Sequence, residues 1–311
     1  MGSSLLTPRM AGVLERIQRA HRRPFHSLSP SEARIAYLMG AEILDLPRAP
    51  LARVEDVQIP GPAGPLPARL YASSAERLPV LLYLHGGGFT IGSIETHDSL
   101  CRQLALRSGV AVVSLDYRLA PEHPFPAAVD DSWAAMRWLA EQGGQWGLDA
   151  SRLAVGGDSA GGTLAAVAAL HARDIQLPLA LQLLITPGTG AHADTPSHKL
   201  FANGFLLEAA SIAWFFNHYI PRNHRRDWRF APQEAAEHSD LAPAFLLLAE
   251  CDPLVDEGIV YADTLRASGN TVSLELVRGV THDFIKMGRA IPEALTALDD
   301  CAKALKEALK P

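Results

Sequence analysis

LAVGGDSAGG (Leu153–Gly162) opens as an apolar strand, breaks at glycine, and runs on past Ser159 into the small-residue stretch Ala160–Arg173, which reads as a helix. Glycine stands two places before and two places after Ser159. A sharp strand-to-helix turn needs that frame, because side chains at Gly157 or Gly161 would strike the neighbouring strand and helix. The serine on such a turn is lifted clear of the sheet, and the positive end of the following helix points at it. The five-residue pattern alone is weak, since glycine-rich turns often carry an incidental serine. Its strand-turn-helix setting gives it weight.

Upstream, HGGGF (His85–Phe89) follows the apolar strand Val80–Leu84. Three successive glycines leave backbone N–H groups unshielded, and such groups can hold the negative oxygen that forms when an acyl carbonyl becomes tetrahedral. With the N–H of Ala160 this loop would complete an oxyanion hole. A glycine run by itself is more often a flexible loop; its place at the end of the third strand, ahead of Ser159, is what makes it chemical.

From Val54 onward, short β-branched or leucine-rich runs alternate with helical patterns, the mark of βαβ units and a mostly parallel sheet. Eight strands are expected, over 54–59, 66–72, 80–84, 110–117, 153–156, 179–186, 245–250 and 272–277. Helices are expected over 96–107, 127–142, 160–173, 258–268 and 291–310. The last places apolar residues at three- and four-residue intervals and so lies on the sheet. Two segments fall outside the alternation. Residues 1–50 are helical in character, and in 190–235 a polar loop precedes the aromatic helix Glu208–Tyr219. The chain is accordingly divided into a core of residues 51–189 and 236–311, and a cap of residues 1–50 and 190–235 that shapes a pocket and excludes water.

A serine hydroxyl is a weak nucleophile near neutral pH, so it needs a base, and the base needs a partner. Asp252 follows the strand 245–250 and His282 follows the last strand, which brings both to the carboxyl edge of the sheet where the serine turn sits. Among 12 histidines, only His282 joins the last place in the order serine, acid, histidine to a loop after the last strand. Asp256 and Asp283 are the rivals of Asp252. The first begins the next helix, where the helix dipole already explains an acidic residue; the second adjoins His282 and is badly placed to accept its N–H.

Taken in order, HGGGFTIGS, DYRLAPEHPFPAAVDD, GGDSAGG, CDPLVDEG and GVTHDF resemble the hormone-sensitive-lipase-like bacterial esterases, sometimes called family IV, in the branch whose serine motif is GDSAG. The match runs from about Val80 to the end. The resemblance implies the α/β-hydrolase fold, with an eight-stranded, mostly parallel sheet flanked by helices and a helical cap. It implies a carboxylesterase that works through an acyl-serine on short- to medium-chain esters. It further implies that Gly87 and Gly88 join Ala160 as oxyanion donors and that His85 holds their loop in place. Phe89, Trp214 and Phe215 are the candidates for the pocket wall. In Asp116–Asp131 three prolines stiffen a loop, and Arg118 is expected to pair with Glu122. Relatives often carry an aromatic residue before the proline that follows the sixth strand; here Thr186 precedes Pro187, so the pocket wall should differ there. A lipase acting on longer-chain glycerides is the alternative reading. A non-catalytic ligand-binding member of the fold is another, and the presence of His282 argues against it.

The remaining composition mainly excludes. The chain has 311 residues, 48% of them hydrophobic and 20% charged, which suits one catalytic core with an attached piece. A net charge of −6 with scattered lysine and arginine leaves no nucleic-acid footprint, and the basic stretch Arg222–Arg229 reads as a solvated loop. Cys101, Cys251 and Cys301 are too few and too dispersed for a disulfide framework or a zinc site, so no metal or cofactor is expected and a cytoplasmic location is. MGSSLLTPRM has neither a basic n-region nor an apolar h-region, and no run approaches the ~18 apolar residues of a membrane span. The expected partner is a small-molecule ester, with no membrane insertion; a homodimer is the one assembly allowed for.

Overall fold

The computed structural model describes residues 5–310; Met1–Ser4 and Pro311, the outermost parts of the N-terminal segment and of the core, lie outside it. Eight strands form one sheet: β1 (Arg53–Gly61), β2 (Gly64–Ala72), β3 (Leu78–Leu84), β4 (Ala111–Leu115), β5 (Leu148–Asp158), β6 (Leu181–Ile185), β7 (Ala244–Cys251) and β8 (Val272–Thr281). Their order is β1-β2-β4-β3-β5-β6-β7-β8. β2 is antiparallel to both of its neighbours and every other pair is parallel.

All eight expected strands are present, with different ends. β5 begins early because Leu148 and Asp149 pair with Leu78 and Pro79 before a register shift at Pro79/Val80. β8 runs four residues past Val277. The apolar pattern stops at Arg278 and Gly279, but the backbone continues, with Gly279 at φ 68, until Thr281 pairs with Cys251.

Nine α-helices are described: α1 (Pro8–Arg19), α2 (Pro30–Leu44), α3 (Asp98–Ser108), α4 (Ala127–Gln142), α5 (Ala160–Asp174), α6 (Pro196–Leu200), α7 (Ala209–Tyr219), α8 (Val255–Ala267) and α9 (Pro292–Ala308). α4, α5 and α8 cover one face of the sheet, and α1, α3 and α9 the other. β3 shows how the two cores are divided. Val80, Leu82 and Leu84 enter the first and Leu81 and Tyr83 the second, as a period of two requires.

The N-terminal helices start as their sequence dictates and then part company. Thr7 Oγ1 accepts from Met10 N–H at 3.2 Å and starts α1; Ser29 and Glu32 form a capping box, with Pro30 in the first turn, and start α2. α1 buries Met10, Val13 and Leu14 beside α9 in the sheet's own core, whereas α2 buries only Ala33 and leans on the loop after β3.

Arg118 and Glu122 do not pair, contrary to expectation. A four-residue spacing brings side chains together only on a helix, and this segment is a loop. The Arg118 fork instead grips Asp131 of α4, with Nη2 2.7 Å from Oδ1, a two-oxygen fit that suits guanidinium. Glu122 is taken by Arg34 of α2 at 2.6 Å. α8 also starts earlier than expected, because Asp252 Oδ1 accepts the Leu254 N–H at 2.9 Å and turns the chain. No helix among the described residues is long and apolar enough to cross a membrane.

Candidate active site

Sheet register assembles the site. Leu84 of β3 lies opposite Gly157 of β5, so the HGGGF loop and the serine turn leave neighbouring strands at one level. Cys251 of β7 lies opposite Thr281 of β8, so Asp252 and His282 step off the sheet together. Ser159 adopts φ 53 and ψ −122, a backbone that costs about 1–3 kcal/mol in a residue with a side chain. Its N–H is tied to Ile185 O at 2.8 Å. A Cβ on Gly157 or Gly161 would sit 2.2 or 1.9 Å from Leu84 O, so close approach to β3 accounts for both framing glycines.

The structure brings Ser159, His282 and Asp252 into one line. Ser159 Oγ–H donates to His282 Nε2 at 2.9 Å and His282 Nδ1–H donates to Asp252 Oδ2 at 2.7 Å. Asp252 and His282 are buried while Ser159 is half-buried, so the imidazole is dry and the hydroxyl remains reachable. Burial opposes the imidazolium, but the Asp252 carboxylate and its hydrogen bond, helped by Asp283 and Asp158, outweigh it and raise His282 above the ordinary histidine range. The rivals point elsewhere: Asp256 Oδ2 accepts the Ser197 N–H at 2.8 Å, and Asp283 lies in a left-handed turn at φ 60.

Asp158 has no role in the sequence reading, yet it joins the two halves of the site. Its Oδ1 accepts Tyr83 O–H at 2.6 Å and Gly86 N–H at 3.1 Å, and Oδ2 lies 3.2 Å from His97 Nε2. Burial disfavours this charge, but His97, Lys286 and the Tyr83 hydroxyl hold the carboxyl well below the usual range. Asp158, next to Ser159, thus clamps Gly86, the first glycine of the HGGGF loop. Gly87 and Gly88, next along, take φ 122 and φ 58; a Cβ would fall 2.2 Å from Ile91 O at the first and 2.3 Å from the Phe215 ring at the second. The His85 ring stacks on Tyr117 at 4.3 Å, and the Tyr117 hydroxyl donates to His85 O at 2.7 Å. Burial and neighbouring His97 push His85 down to about 3, so it stays neutral while holding the loop.

Three further groups brace the site. Lys286, just beyond the histidine, is buried and donates to Tyr37 Oη of α2 at 2.6 Å. Arg34 of α2 donates to Thr90 O at 2.9 Å and Ala120 O at 2.7 Å. Glu257 Oε2 accepts the N–H groups of Thr189, at 3.1 Å, and Gly190, pinning the loop after β6. Burial, partly offset by these N–H groups, pushes Glu257 up to about 8.

The pocket candidates divide. Phe89 stacks on Tyr219 at 4.0 Å and belongs to the sheet core. Phe215 covers Gly88 and lies 6.3 Å from Phe25, where the N-terminal segment meets α7. Half-buried Trp214 stands edge-on to Phe215 at 5.1 Å. Thr186 is buried with φ 41, and its short side chain builds no aromatic wall there. Among the described residues no group of three or more histidine, cysteine or acidic side chains is placed to hold a metal.

The chain matches the family described as alpha/beta hydrolase fold over residues 81–286. It is 39% identical to an ethyl acetate hydrolase of Pseudomonas putida, the alignment covering 98% of this chain and 99% of that protein. It is 43% identical to the esterase LipI of Mycobacterium tuberculosis, covering 85% and 86%. Among solved structures, an esterase of the archaeon Pyrobaculum calidifontis superposes with a TM-score of 0.92 at 37% identity over 97% and 98% of the two chains. A thermostable esterase of Pseudomonas putida superposes with a TM-score of 0.94 at 33% identity over 100% of both.

Proposed function

The chain belongs to the α/β-hydrolase-fold family, among its hormone-sensitive-lipase-like carboxylic ester hydrolases, and from that membership we propose that it cleaves short- to medium-chain esters through an acyl-Ser159 intermediate. The hydrogen-bonded line Asp252–His282–Ser159 is the observation that carries this reading. Ser159 Oγ attacks the acyl carbon while its proton passes to His282 Nε2, and Asp252 stabilises the imidazolium. The carbonyl oxygen becomes negative and is received by the N–H groups of Gly87, Gly88 and Ala160. The C–O bond to the alcohol breaks and His282 returns the proton to the departing alkoxide. A water then gives a proton to His282 and attacks the acyl carbon; release of the acid restores the Ser159 hydroxyl.

Residues 1–50 and 190–235 act as the cap in this reading, and the meeting of Phe25 with Phe215 over Gly88 supports it. Since α1 packs on the sheet, the roof is assigned to Phe25, the inner side of α2 and α7. Three free, buried cysteines support a reducing, cytoplasmic setting. A homodimer is allowed, and sedimentation of the purified chain tests it.

A roofed pocket should accept acyl chains of roughly two to eight carbons, each methylene adding up to ~0.8 kcal/mol until the wall is met. The test is kcat/KM on p-nitrophenyl esters of increasing length, repeated in Trp214→Ala and Phe215→Ala. The expected result is a maximum at short or medium length that moves to longer chains in a variant. A maximum at palmitate, or full activity on emulsified triglyceride, would replace this reading with a lipase.

A further inference from the structure

α2 is turned inside out. Its inner side is fixed to the body by Arg34, on Thr90 O and Ala120 O, and by Tyr37, on Lys286. Its outer side presents Ile35, Leu38, Met39 and Ile43, which are 61%, 51%, 74% and 54% exposed. Their spacing puts all four on one face. Single exposed apolar residues need no explanation, but four within nine positions on an anchored helix do. Rolling α2 inward to bury them would break the Arg34 and Tyr37 contacts, so this face is displayed in the folded state.

Positive charge borders the stripe. Arg22 Nη1 lies 3.2 Å from where a Cβ on Gly40 would stand, at the stripe's edge. Arg23 reaches Glu32 in the first turn of α2 at 3.6 Å. Residues 8–26 hold five arginines against Glu15, and with Glu32, Arg34 and Glu42 of α2 included the lobe of residues 8–44 nets +3 in a chain whose net charge is −6. Arg9, Arg16, Arg19, Arg22 and Arg23 are all exposed. An apolar helix face edged by arginine is the composition of a helix that lies in the plane of an anionic lipid interface. A second copy of the chain fits worse, because a two-fold contact through this patch would set one cationic lobe against another.

We propose that this N-terminal lobe docks on an anionic lipid surface, with Ile35, Leu38, Met39 and Ile43 in the acyl boundary and the arginines among the headgroups. The contact is peripheral, since 15 residues are too few to span a bilayer. The inner side of the same helix holds Thr90, the residue after the HGGGF loop, so docking sets the end of that loop about one helix diameter, ~10 Å, from the lipid.

The experiment is cosedimentation of the full chain with vesicles of phosphatidylglycerol or of phosphatidylcholine, at low and high salt. Binding to phosphatidylglycerol that salt weakens, with little binding to phosphatidylcholine, is expected. Met39→Ser/Ile43→Ser and Arg22→Glu/Arg23→Glu should each lower the bound-to-free ratio roughly tenfold or more. Both variants should melt like the parent and hydrolyse a soluble ester at the parent rate, separating docking from folding and from catalysis. Absence of binding to phosphatidylglycerol, equal binding to both lipids regardless of salt, or unchanged binding in both variants would overturn the proposal. So would a dimer that Met39→Ser/Ile43→Ser splits, which would give the face to a second copy.

Discussion

Asp252 and Asp256 are four residues apart and have different partners. Asp252→Asn keeps the shape but no longer stabilises the imidazolium, so kcat should fall on the order of 10⁴-fold; Asp256→Asn weakens only the contact with Ser197 of α6 and should fall far less. The reverse ranking would reassign the acid. The same carboxylate sets the pH profile. Catalysis needs neutral His282, whose pKa is raised, so kcat/KM should climb with pH along a limb above the ordinary histidine value of about 6.5. Removing the Asp252 charge should move that limb to lower pH in the residual activity of Asp252→Asn. At this scale the meeting of Ser159, His282 and Asp252 was legible, because each follows a strand end and the chain order does the rest. Asp158 was not, although it sits inside the quoted motif: its partners Gly86 and His97 lie 72 and 61 residues away. Lys286 and Tyr37 are 249 residues apart, a pairing no local pattern announces.

The HGGGF loop was found as an element because its glycines follow an apolar strand, but only the structure shows what each glycine avoids. At Gly88 a methyl group would meet the Phe215 ring, so Gly88→Ala must displace either the ring or the loop. Losing one oxyanion donor costs roughly 10²–10³ in kcat, and a loss of that order with little change in KM is expected from steady-state kinetics; an unchanged kcat would move the oxyanion site off this loop. Strand interiors were legible as short apolar runs and strand ends were not, since register shifts at Pro79/Val80 and Ala249/Cys251 belong to pairing and leave no trace in composition. The Arg118–Glu122 expectation failed for a related reason. Nearness in a loop does not set which side chains meet, and the partners that were found, Asp131 and Arg34, lie outside the local stretch.

The division into core and cap was drawn from breaks in the βα alternation, and periodicity could say that residues 1–50 carry apolar helical faces without saying what those faces meet. α1 met the sheet, and α2 met Thr90 and Ile91, just after the HGGGF loop. Stability also has a reading at this scale. Glu257 is held near 8 in the fold against 4.5 for the free group, so between those values the folded chain keeps a proton that the unfolded chain has released. Stability should therefore fall as pH rises through that window. Glu257→Gln cannot ionise, and denaturant midpoints across pH should show a shallower fall than in the parent; equal slopes would mean that Glu257 is already ionised in the fold. The chemistry of the site rests finally on one hydroxyl. The kcat of Ser159→Ala on a soluble p-nitrophenyl ester, taken beside the circular dichroism of the same sample, should drop by about 10⁶-fold with the fold unchanged, whereas a folded variant that kept a tenth of the parent rate would contradict a serine nucleophile at this position.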